Sequence, residues 1–210
     1  MSIVDRDAFA ARTAVSRETL AAFDAYAALL TKWSRAINLV APGTLDALWG
    51  RHFLDSAQVF ELLPGPARHL ADLGSGAGFP AIPLAIMARE RAPDLTVTLV
   101  ESDRRKAAFL ETVIRDLGLS ARVETARIES LAPLGADVLT ARALAPLDRL
   151  ATYAQRHLAP GGVAIFPKGK AWRDELAAAQ AHATFTFAAH PSITDKAAVL
   201  LEIRDLSLAQ

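Results

Sequence analysis

The chain lacks several features that would point to a particular chemistry. It has no cysteine among its 210 residues, which excludes disulfides, thiolate zinc sites and cysteine nucleophiles. Its 23 basic and 23 acidic side chains cancel, which disfavours a protein that coats bare nucleic acid by charge alone. No repeat, low-complexity tract or long Gly/Ser linker divides the sequence. We therefore expect one substantial core with a small appendage.

Long apolar runs are also missing. The most apolar stretch, residues 80–88, is too short to span a bilayer and is interrupted by Pro83. Residues 1–15 carry several charges and no continuous apolar segment, so they do not resemble a secretory signal. These observations predict a cytoplasmic enzyme that has no membrane partner and holds no metal.

The most informative segment that is present is a glycine-rich loop at residues 72–80. An apolar strand ends at Asp72-Leu73 and is followed by Gly74, Gly76 and Gly78, with Ser75 between the first two. Glycine lets a backbone turn sharply and lie against a ligand because it has no Cβ. The helix that follows presents free N–H groups at its N-terminus. A tight turn alone needs fewer glycines, so we interpret the loop as a ligand cradle.

A second strand ends in Glu101-Ser102, about two dozen residues after the loop. A carboxylate at that place is suited to hold ribose hydroxyls. The spacing G-x-G-x-G, with Phe79 in place of the third glycine, differs from the dinucleotide fingerprint, and no Gly-Lys-Ser/Thr follows as in a P-loop. The loop and Glu101 together resemble the class I S-adenosylmethionine (AdoMet) methyltransferases.

Alternation of apolar strands and amphipathic helices from residue 68 onward predicts an α/β fold. We expect a doubly wound, mostly parallel Rossmann-like sheet, with the ligand at the carboxyl ends of its first strands. The expected strands are 69–73, 96–101, 121–126, 136–141, 162–167, 184–189 and 198–204. The expected helices are 80–91, 103–117, 146–158 and 171–182. The last two strands are expected to form an antiparallel edge hairpin whose turn begins at 190–192.

Residues 1–65 are predicted to form a helical segment packed on a methyltransferase domain at 66–210. One helix is expected from an N-cap at Ser16 through Ile37, and a second helical run at 44–63. In the second run His52, Asp55 and Ser56 share one helix face. His52 and Asp55 are candidates for a catalytic dyad, but no nucleophile lies beside them, which favours a structural or substrate-positioning role.

A basic cluster follows Glu101 at the start of the next helix. Arg104, Arg105 and Lys106 place positive charge where the helix dipole opposes it. The cluster is either a solvated first turn or a contact for phosphates.

The chain resembles the RsmG (GidB) family of bacterial 16S rRNA guanine-N7 methyltransferases over most of its length. The motifs that carry the resemblance combine a segment at 51–56 (Arg-His-Phe-Leu-Asp-Ser) with the loop at 72–80. Further matches are Lys32-Trp33-Ser34, Glu101-Ser102 with Lys106, Ala141-Arg142-Ala143 and Lys168-Gly169. Ala81 and Ala141 depart from residues that are common in the family.

The resemblance implies AdoMet as cofactor and a set of residues to hold it. Contacts are implied at Gly74, Phe79, Ile128, Glu129 and Arg142. Ile128 would cover the adenine ring and Glu129 would accept from its amino group. With the loop and the second strand, the full cofactor set is Asp72, Gly74, Ser75, Gly76, Gly78, Phe79, Glu101, Ser102, Ile128, Glu129 and Arg142. The candidates for RNA contact are His52, Asp55, Arg104, Arg105, Lys106, Arg142 and Lys168.

Residues that are absent narrow the chemistry further. Without cysteine the common route to pyrimidine C5 methylation is closed, and residues 142–146 do not match the Asn/Asp-Pro-Pro-aromatic motif of exocyclic-amine methylation. Guanine N7 offers a lone pair and needs no general base, so positioning carries the catalysis. We expect recognition through the Watson–Crick edge and by stacking of an extruded base.

Two other functions remain open from the sequence. One is an AdoMet-dependent methyltransferase for a protein or small molecule, and the other is a non-catalytic RNA-binding or ribosome-assembly factor. The expected partner is 16S rRNA in an assembled or partly assembled small subunit, because zero net charge suits shape recognition better than binding of bare RNA. Nothing in the sequence demands more than a monomer.

Overall fold

A computed structural model describes residues 4–41, 43–65 and 67–208. The strands are β1 (His69–Leu73), β2 (Thr96–Val100), β3 (Ala121–Glu124), β4 (Ala136–Thr140), β5 (Leu158–Lys168), β6 (Ala183–Pro191) and β7 (Val199–Leu208). The α-helices are α1 (Arg6–Thr13), α2 (Arg17–Trp33), α3 (Asp55–Phe60), α4 (Ala81–Arg91), α5 (Arg104–Leu117), α6 (Leu147–His157) and α7 (Trp172–Gln180). Shorter helical pieces are two 3₁₀ turns, Leu45–Ala47 and Ile128–Ser130, and a π-helix, Trp49–Leu54.

The seven strands form one sheet in the order β3-β2-β1-β4-β5-β7-β6. Strands β1 to β5 are parallel to one another, whereas β7 pairs antiparallel with both β5 and β6. The chain direction across the sheet reverses between β1 and β4, and a ligand of a doubly wound sheet binds at that point. The predicted fold class is confirmed.

Each face of the sheet carries its own apolar layer because successive strand residues point to opposite sides. Leu70 belongs to the layer covered by α2, α4 and α5, and its neighbour Ala71 belongs to the layer covered by α6 and α7. The register places Leu70 beside Val97 on β2 and Val138 on β4, so the first layer is continuous across the strands that flank the reversal. This apolar layer holds β1, β2 and β4 in place next to the point at which the strand order reverses.

Capping residues set the ends of the helices nearest the site. The Ser16 side chain accepts from Thr19 N at the start of α2, as predicted. Asp103 accepts from the backbone N–H groups of Arg105 and Lys106 at the start of α5. Its carboxylate lies where the macrodipole favours negative charge, which offsets the basic residues that follow.

The first helical segment differs from its prediction in three places. Helix α2 ends at Trp33, so the prediction that it continues through Ile37 was wrong. Ile37 lies after a turn that follows the helix. Helix α1 was not predicted, because only Phe9 of its residues is buried and its apolar face is short. The run at 44–63 is helical over most of its length but changes from 3₁₀ to π to α.

The hairpin at the sheet edge also differs. His190 pairs with Leu200 and Pro191 with Val199, so β6 continues through both residues and the turn begins at Ser192. The predicted turn at 190–192 was therefore two residues early. Strand β5 begins at Leu158 instead of residue 162, because the chain pairs with β4 directly after α6. Strand β7 continues to Leu208, four residues beyond its predicted end at 204, and the remaining strand and helix boundaries from residue 68 onward agree within two residues.

Within the described part of the chain, no helix is both long and apolar enough to cross a bilayer. The same residues contain no group of three or more His, Asp or Glu side chains placed to hold a metal ion. The division of the chain at residue 65 stays a prediction.

Candidate cofactor and substrate site

The site lies at the carboxyl ends of β1 and β4, the neighbouring strands between which the strand order reverses. The glycine loop follows β1, and Arg142 follows β4. The loop has three glycines with positive φ, 66° at Gly74, 57° at Gly76 and 96° at Gly78. A side chain is strained in this region of backbone space, so all three positions favour glycine.

Neighbouring residues hold the loop closely. A Cβ at Gly74 would lie 2.5 Å from Leu144 Cδ1, and one at Gly78 would lie 2.5 Å from Ile82 Cγ1. At Gly76 the nearest atom would be Gly74 O at 3.8 Å, so that position is open. The buried Tyr26 hydroxyl donates to Ala77 O at 2.6 Å. Helix α2 thus anchors the loop, and the backbone at Gly76 is left free to meet a ligand.

Glu101 organises the backbone around the loop. Its Oε2 accepts from Gly76 N at 2.8 Å and its Oε1 accepts from Asp103 N at 2.7 Å. The side chain is buried, yet a carboxylate has about four acceptor positions, so both oxygens retain capacity for further donors such as ribose hydroxyls. The neighbouring Ser102 is exposed at the same strand end.

Asp72 is the buried carboxylate beneath the loop. Its Oδ1 accepts from the Thr140 hydroxyl at 2.7 Å, whereas its Oδ2 has no hydrogen-bond partner among the described residues. Burial raises the pKa of Asp72 to about 7. An unpaired buried carboxylate is costly, and a cationic ligand group would relieve that cost. Asp72 therefore fits the ammonium group of a bound amino acid moiety.

Arg142 brings His52, Asp55 and Phe79 together. Its Nη1 lies 3.3 Å from Asp55 Oδ2, and its Nη2 lies 3.1 Å from His52 Nδ1. Its Cζ lies 4.8 Å from the centre of the Phe79 ring, with which the His52 ring stacks at 4.8 Å and an interplanar angle of 17°. The predicted face of His52 and Asp55 is thus directed at one guanidinium, and Arg142 joins that face to the loop.

The protonation of His52 follows from this geometry. Arginine only donates, so Nδ1 accepts and the neutral ring carries its proton on Nε2. Burial, together with the charges of Arg142 and Arg51, lowers the pKa of His52 to about 4. His52 and Asp55 are both directed at Arg142, which agrees with a positioning role and not with a catalytic dyad.

The turn between β6 and β7 adds three residues to this cluster. The Thr194 hydroxyl donates to Asp55 Oδ1 at 2.7 Å. Gln58 donates from Nε2 to Ser192 Oγ at 3.2 Å and accepts from Ile193 N at 3.0 Å. Residues from four separate parts of the chain, 52–58, 79, 142 and 192–194, therefore meet here.

Glu129 is directed elsewhere. Its Oε1 accepts from the Tyr153 hydroxyl at 2.5 Å and from Arg149 Nη2 at 2.8 Å, both on α6. These hydrogen bonds, with Tyr153 the larger cause, lower the pKa of Glu129 to about 2. Ile128 before it is buried. All side-chain bonds to Glu129 from the described residues go to Oε1, so Oε2 is left as the acceptor for the predicted adenine contact.

The basic candidates have different environments. The Lys168 side chain is 9% exposed; it pairs with Glu175 and donates to Ala145 O at 3.2 Å. Its charge is thus compensated inside the protein, and its phosphate role stays a prediction. Arg104 and Arg105 are exposed, and Lys106 is half-buried.

A cavity of about 1570 Å³ joins the glycine loop to the cluster around Arg142, whereas its lining does not include Asp72, Glu101, Ser102, Ile128 or Glu129. Its lining includes the loop at 74–77, Phe79, His52, Asp55, Arg142 and the turn at 192–196. Small-molecule sites commonly measure about 300–1,000 Å³, so this cavity has room for a cofactor and part of a second substrate. Lys106 and Lys168 also line it.

Sequence reasoning missed Tyr26, Gln58, Ser192 and Thr194 as parts of the site. Tyr26 was assigned to the apolar core, where its ring does lie, but its hydroxyl was a signal that a polar partner was needed. The other three lie in contacts between residues more than 130 positions apart, such as Thr194 with Asp55. No local pattern reports such contacts.

Comparison with known proteins follows this geometry. A family model described as rRNA small subunit methyltransferase G, GidB, matches residues 19–203. The ribosomal RNA small subunit methyltransferase G of Paramagnetospirillum magneticum is 52% identical over 196 residues, 93% of either chain. That of Methylobacterium nodulans is 47% identical over 209 residues, 99% of this chain and 98% of the relative.

Solved structures with low identity show the fold alone. A SAM dependent methyltransferase from Aquifex aeolicus gives a TM-score of 0.58 at 14% identity, over 84% of this chain and 97% of that one. A TehB-like SAM-dependent methyltransferase from Corynebacterium glutamicum gives 0.54 at 14% identity, over 86% and 98%. Since the family model covers residues 19–203, the chain belongs to the rRNA small subunit methyltransferase G (GidB) family.

Proposed function

We propose that this protein transfers a methyl group from AdoMet to N7 of a guanosine in the 16S rRNA of the small ribosomal subunit. Membership of the GidB family over residues 19–203 carries this proposal. The buried carboxylate beneath the glycine loop and the cavity beside it support the assignment. The finer points, N7 and the choice of nucleotide, rest on the resemblance and on the chemistry of the site.

The residues present fit AdoMet. Asp72, with its unpaired oxygen, would hold the methionine ammonium, and the open backbone at Gly76 would lie against the methionine moiety. Glu101 would accept from the ribose while it keeps the Gly76 N–H in place. Ile128 and Glu129 would meet the adenine. Bound AdoMet supplies an electrophilic methyl group on a sulfonium.

The protein side of the reaction is positioning. Guanine N7 carries its own lone pair, so no residue has to remove a proton, and orientation of the acceptor accounts for the rate. Arg142, fixed by Asp55 and His52 over Phe79, lines the cavity where the acceptor would lie. His52 is unsuited to act as a base because its Nδ1 is occupied by Arg142.

Recognition of the base leaves N7 uncovered. An arginine fork to O6 and N7, the commonest guanine contact, would block the acceptor atom. The guanidinium of Arg142 is directed at Asp55. Its charge can therefore orient the substrate while the guanine N7 stays uncovered. We expect the Watson–Crick edge and the ring faces to be read in an extruded base.

The substrate is proposed to be the assembled or partly assembled small subunit, with the enzyme acting as a cytoplasmic monomer. Zero net charge gives weak attraction to bare RNA, so the shape of the subunit has to supply part of the affinity. Comparable rates of methylation on naked 16S rRNA and on subunits would contradict this point.

Labelled AdoMet and small subunits from a strain that lacks this protein provide the test. Borohydride–aniline cleavage followed by primer extension would map any N7-methylguanosine. A single new stop in 16S rRNA is expected. Binding of AdoMet without transfer to subunits would contradict the proposal and favour a protein or small-molecule acceptor, whereas no AdoMet binding would favour a non-catalytic factor.

A further inference from the structure

Two large apolar side chains are exposed in the described part of the chain, Phe187 at 44% and Ile193 at 54%. Single exposed apolar residues are ordinary on protein surfaces, so exposure alone indicates nothing. The two residues differ in place. Ile193 lines the large cavity, in the turn between β6 and β7, whereas Phe187 lies within β6 at the edge of the sheet and outside the cavity lining.

The turn that carries Ile193, residues 192–198, is held at both its base and its tip. Ser192 N donates to Ala198 O at 3.0 Å and closes the base. Gln58, itself nearly buried, accepts from Ile193 N at 3.0 Å and donates to Ser192 Oγ at 3.2 Å. Thr194 donates to Asp55. The backbone of Ile193 is therefore fixed while its side chain remains in solvent.

The fixed backbone lowers the entropic cost of covering Ile193 when a ligand binds. A side chain on a fixed backbone loses less conformational freedom when it is covered than one on a mobile loop. Through Thr194 and Asp55, the turn is two hydrogen-bonded contacts away from Arg142. Arg142 and the turn also line the same cavity, so a substrate group at Arg142 lies in the space that the turn borders.

We propose that Ile193 is an RNA-contacting residue that packs against the nucleobases flanking the target guanosine. The proposal rests on the proposed function. A base that leaves its stack exposes the apolar faces of its neighbours, and proteins that extrude bases commonly cover such faces with apolar side chains. The exposed Lys196 on the same turn is placed to meet a phosphate of the same strand.

Phe187 offers a matched control for a kinetic test. Ile193→Ala and Phe187→Ala each remove an exposed apolar side chain, and only the first lies at the cavity. We expect Ile193→Ala to lower kcat/KM for small subunits by about 10-fold, mainly through KM, because apolar burial is lost. The Kd for AdoMet and the melting temperature should stay unchanged. Phe187→Ala should remain within about twofold of the unmodified protein.

A photocrosslinking experiment separates this inference from the proposed function. A benzophenone side chain placed at position 193 should crosslink to 16S rRNA in small subunits, and one placed at position 187 should not. Crosslinking without methyl transfer by the unmodified protein would support the contact while contradicting the proposed function. Normal transfer with equal effects of the two alanine variants, or crosslinking at 193 no stronger than at 187, would overturn the inference.

Discussion

The two regions that hold the candidate cofactor residues are built differently. On one side Arg142, Asp55, His52 and Phe79 form a part-buried cluster in which each polar contact has a partner from another element. On the other side Glu129 is half-exposed, and its partners Arg149 and Tyr153 belong to one turn of α6. Partners in a part-buried cluster fix one another, whereas an exposed ion pair contributes about 0–1 kcal/mol and is easily exchanged for water or ligand.

The largest expected effect comes from replacing Arg142 by alanine, and the same change at Arg149 compares the two regions. Arg142→Ala should lower kcat/KM for small subunits by about 100-fold, because the guanidinium that His52 and Asp55 hold at the cavity is lost. Arg149→Ala, which removes an exposed pair, should change it by less than about threefold. Steady-state kinetics with AdoMet saturating would measure both. Similar losses in the two variants would show that the sides are equivalent.

A substitution of Asp72 tests the buried carboxylate beneath the glycine loop. Asp72→Asn should weaken AdoMet binding by about 30-fold, because a charge-assisted contact to the ammonium is replaced by a neutral one. In the unmodified protein the pKa of Asp72 is raised to about 7 by burial. Affinity should therefore increase as the pH rises from about 5.5 to 7, since the ionised carboxylate is the form that holds a cation. Calorimetry at several pH values would check both points.

The variant provides the control for that pH dependence. Asp72→Asn has no titrating group at the position, so its affinity should be flat over the same range. An equal pH dependence in the variant would assign the titration to another group.

His52 tests the part-buried cluster through stability. Burial, with the charges of Arg142 and Arg51, lowers its pKa to about 4 in the folded chain, against 6.5 for the ordinary side chain. The unfolded chain then binds the proton first, so this contribution to stability is present above pH 6.5 and is lost as the pH falls towards 4. His52→Gln should remove about 1–3 kcal/mol of that dependence. Urea unfolding between pH 4 and 7 measures it.

His182→Gln replaces a histidine that is exposed after α7 and serves as the matched control. If the two variants had the same unfolding profile between pH 4 and 7, the lowered pKa of His52 would be contradicted.

The smallest effect is expected at Glu129. Glu129→Gln should weaken AdoMet binding by about threefold, because an exposed carboxylate contributes little even where it accepts from the adenine. The matched change Glu111→Gln on the exposed face of α5 should have no effect. Calorimetry would compare them. A loss above 30-fold at Glu129 would mean that this side is as rigid as the other.

Sequence patterns predicted the elements that repeat regularly. Short apolar runs that alternate with helical segments located β1 to β4 within one or two residues, because strands buried on both faces of a parallel sheet are apolar along most of their length. The glycine loop was recognised because positive φ restricts the residue choice to glycine at Gly74, Gly76 and Gly78. Apolar runs and glycine spacing involve residues that are close together in the chain, so a single sequence is enough to detect them.

The contacts that complete the site were less accessible. The sequence placed His52 and Asp55 on one helix face and Arg142 at the end of a strand, but it did not show that the three side chains meet. Thr194 and Asp55 are 139 residues apart and touch because β7 lies beside β5. The π-helical winding of residues 49–54 was also missed, since π-helices are rare and the pattern was interpreted as ordinary helix.

That winding has a consequence for insertions and deletions. Each backbone hydrogen bond of a π-helix spans one more residue than in an α-helix, five instead of four. Deletion of one residue from Trp49–Leu54 would let the segment continue directly into α3 as regular helix, with better backbone hydrogen bonding. If the deleted residue is Phe53 or Leu54, which lie between His52 and Asp55, these two side chains would also rotate by roughly 100° relative to one another. They would then no longer both face Arg142, so a more regular helix would lose the contacts that hold this guanidinium beside Phe79.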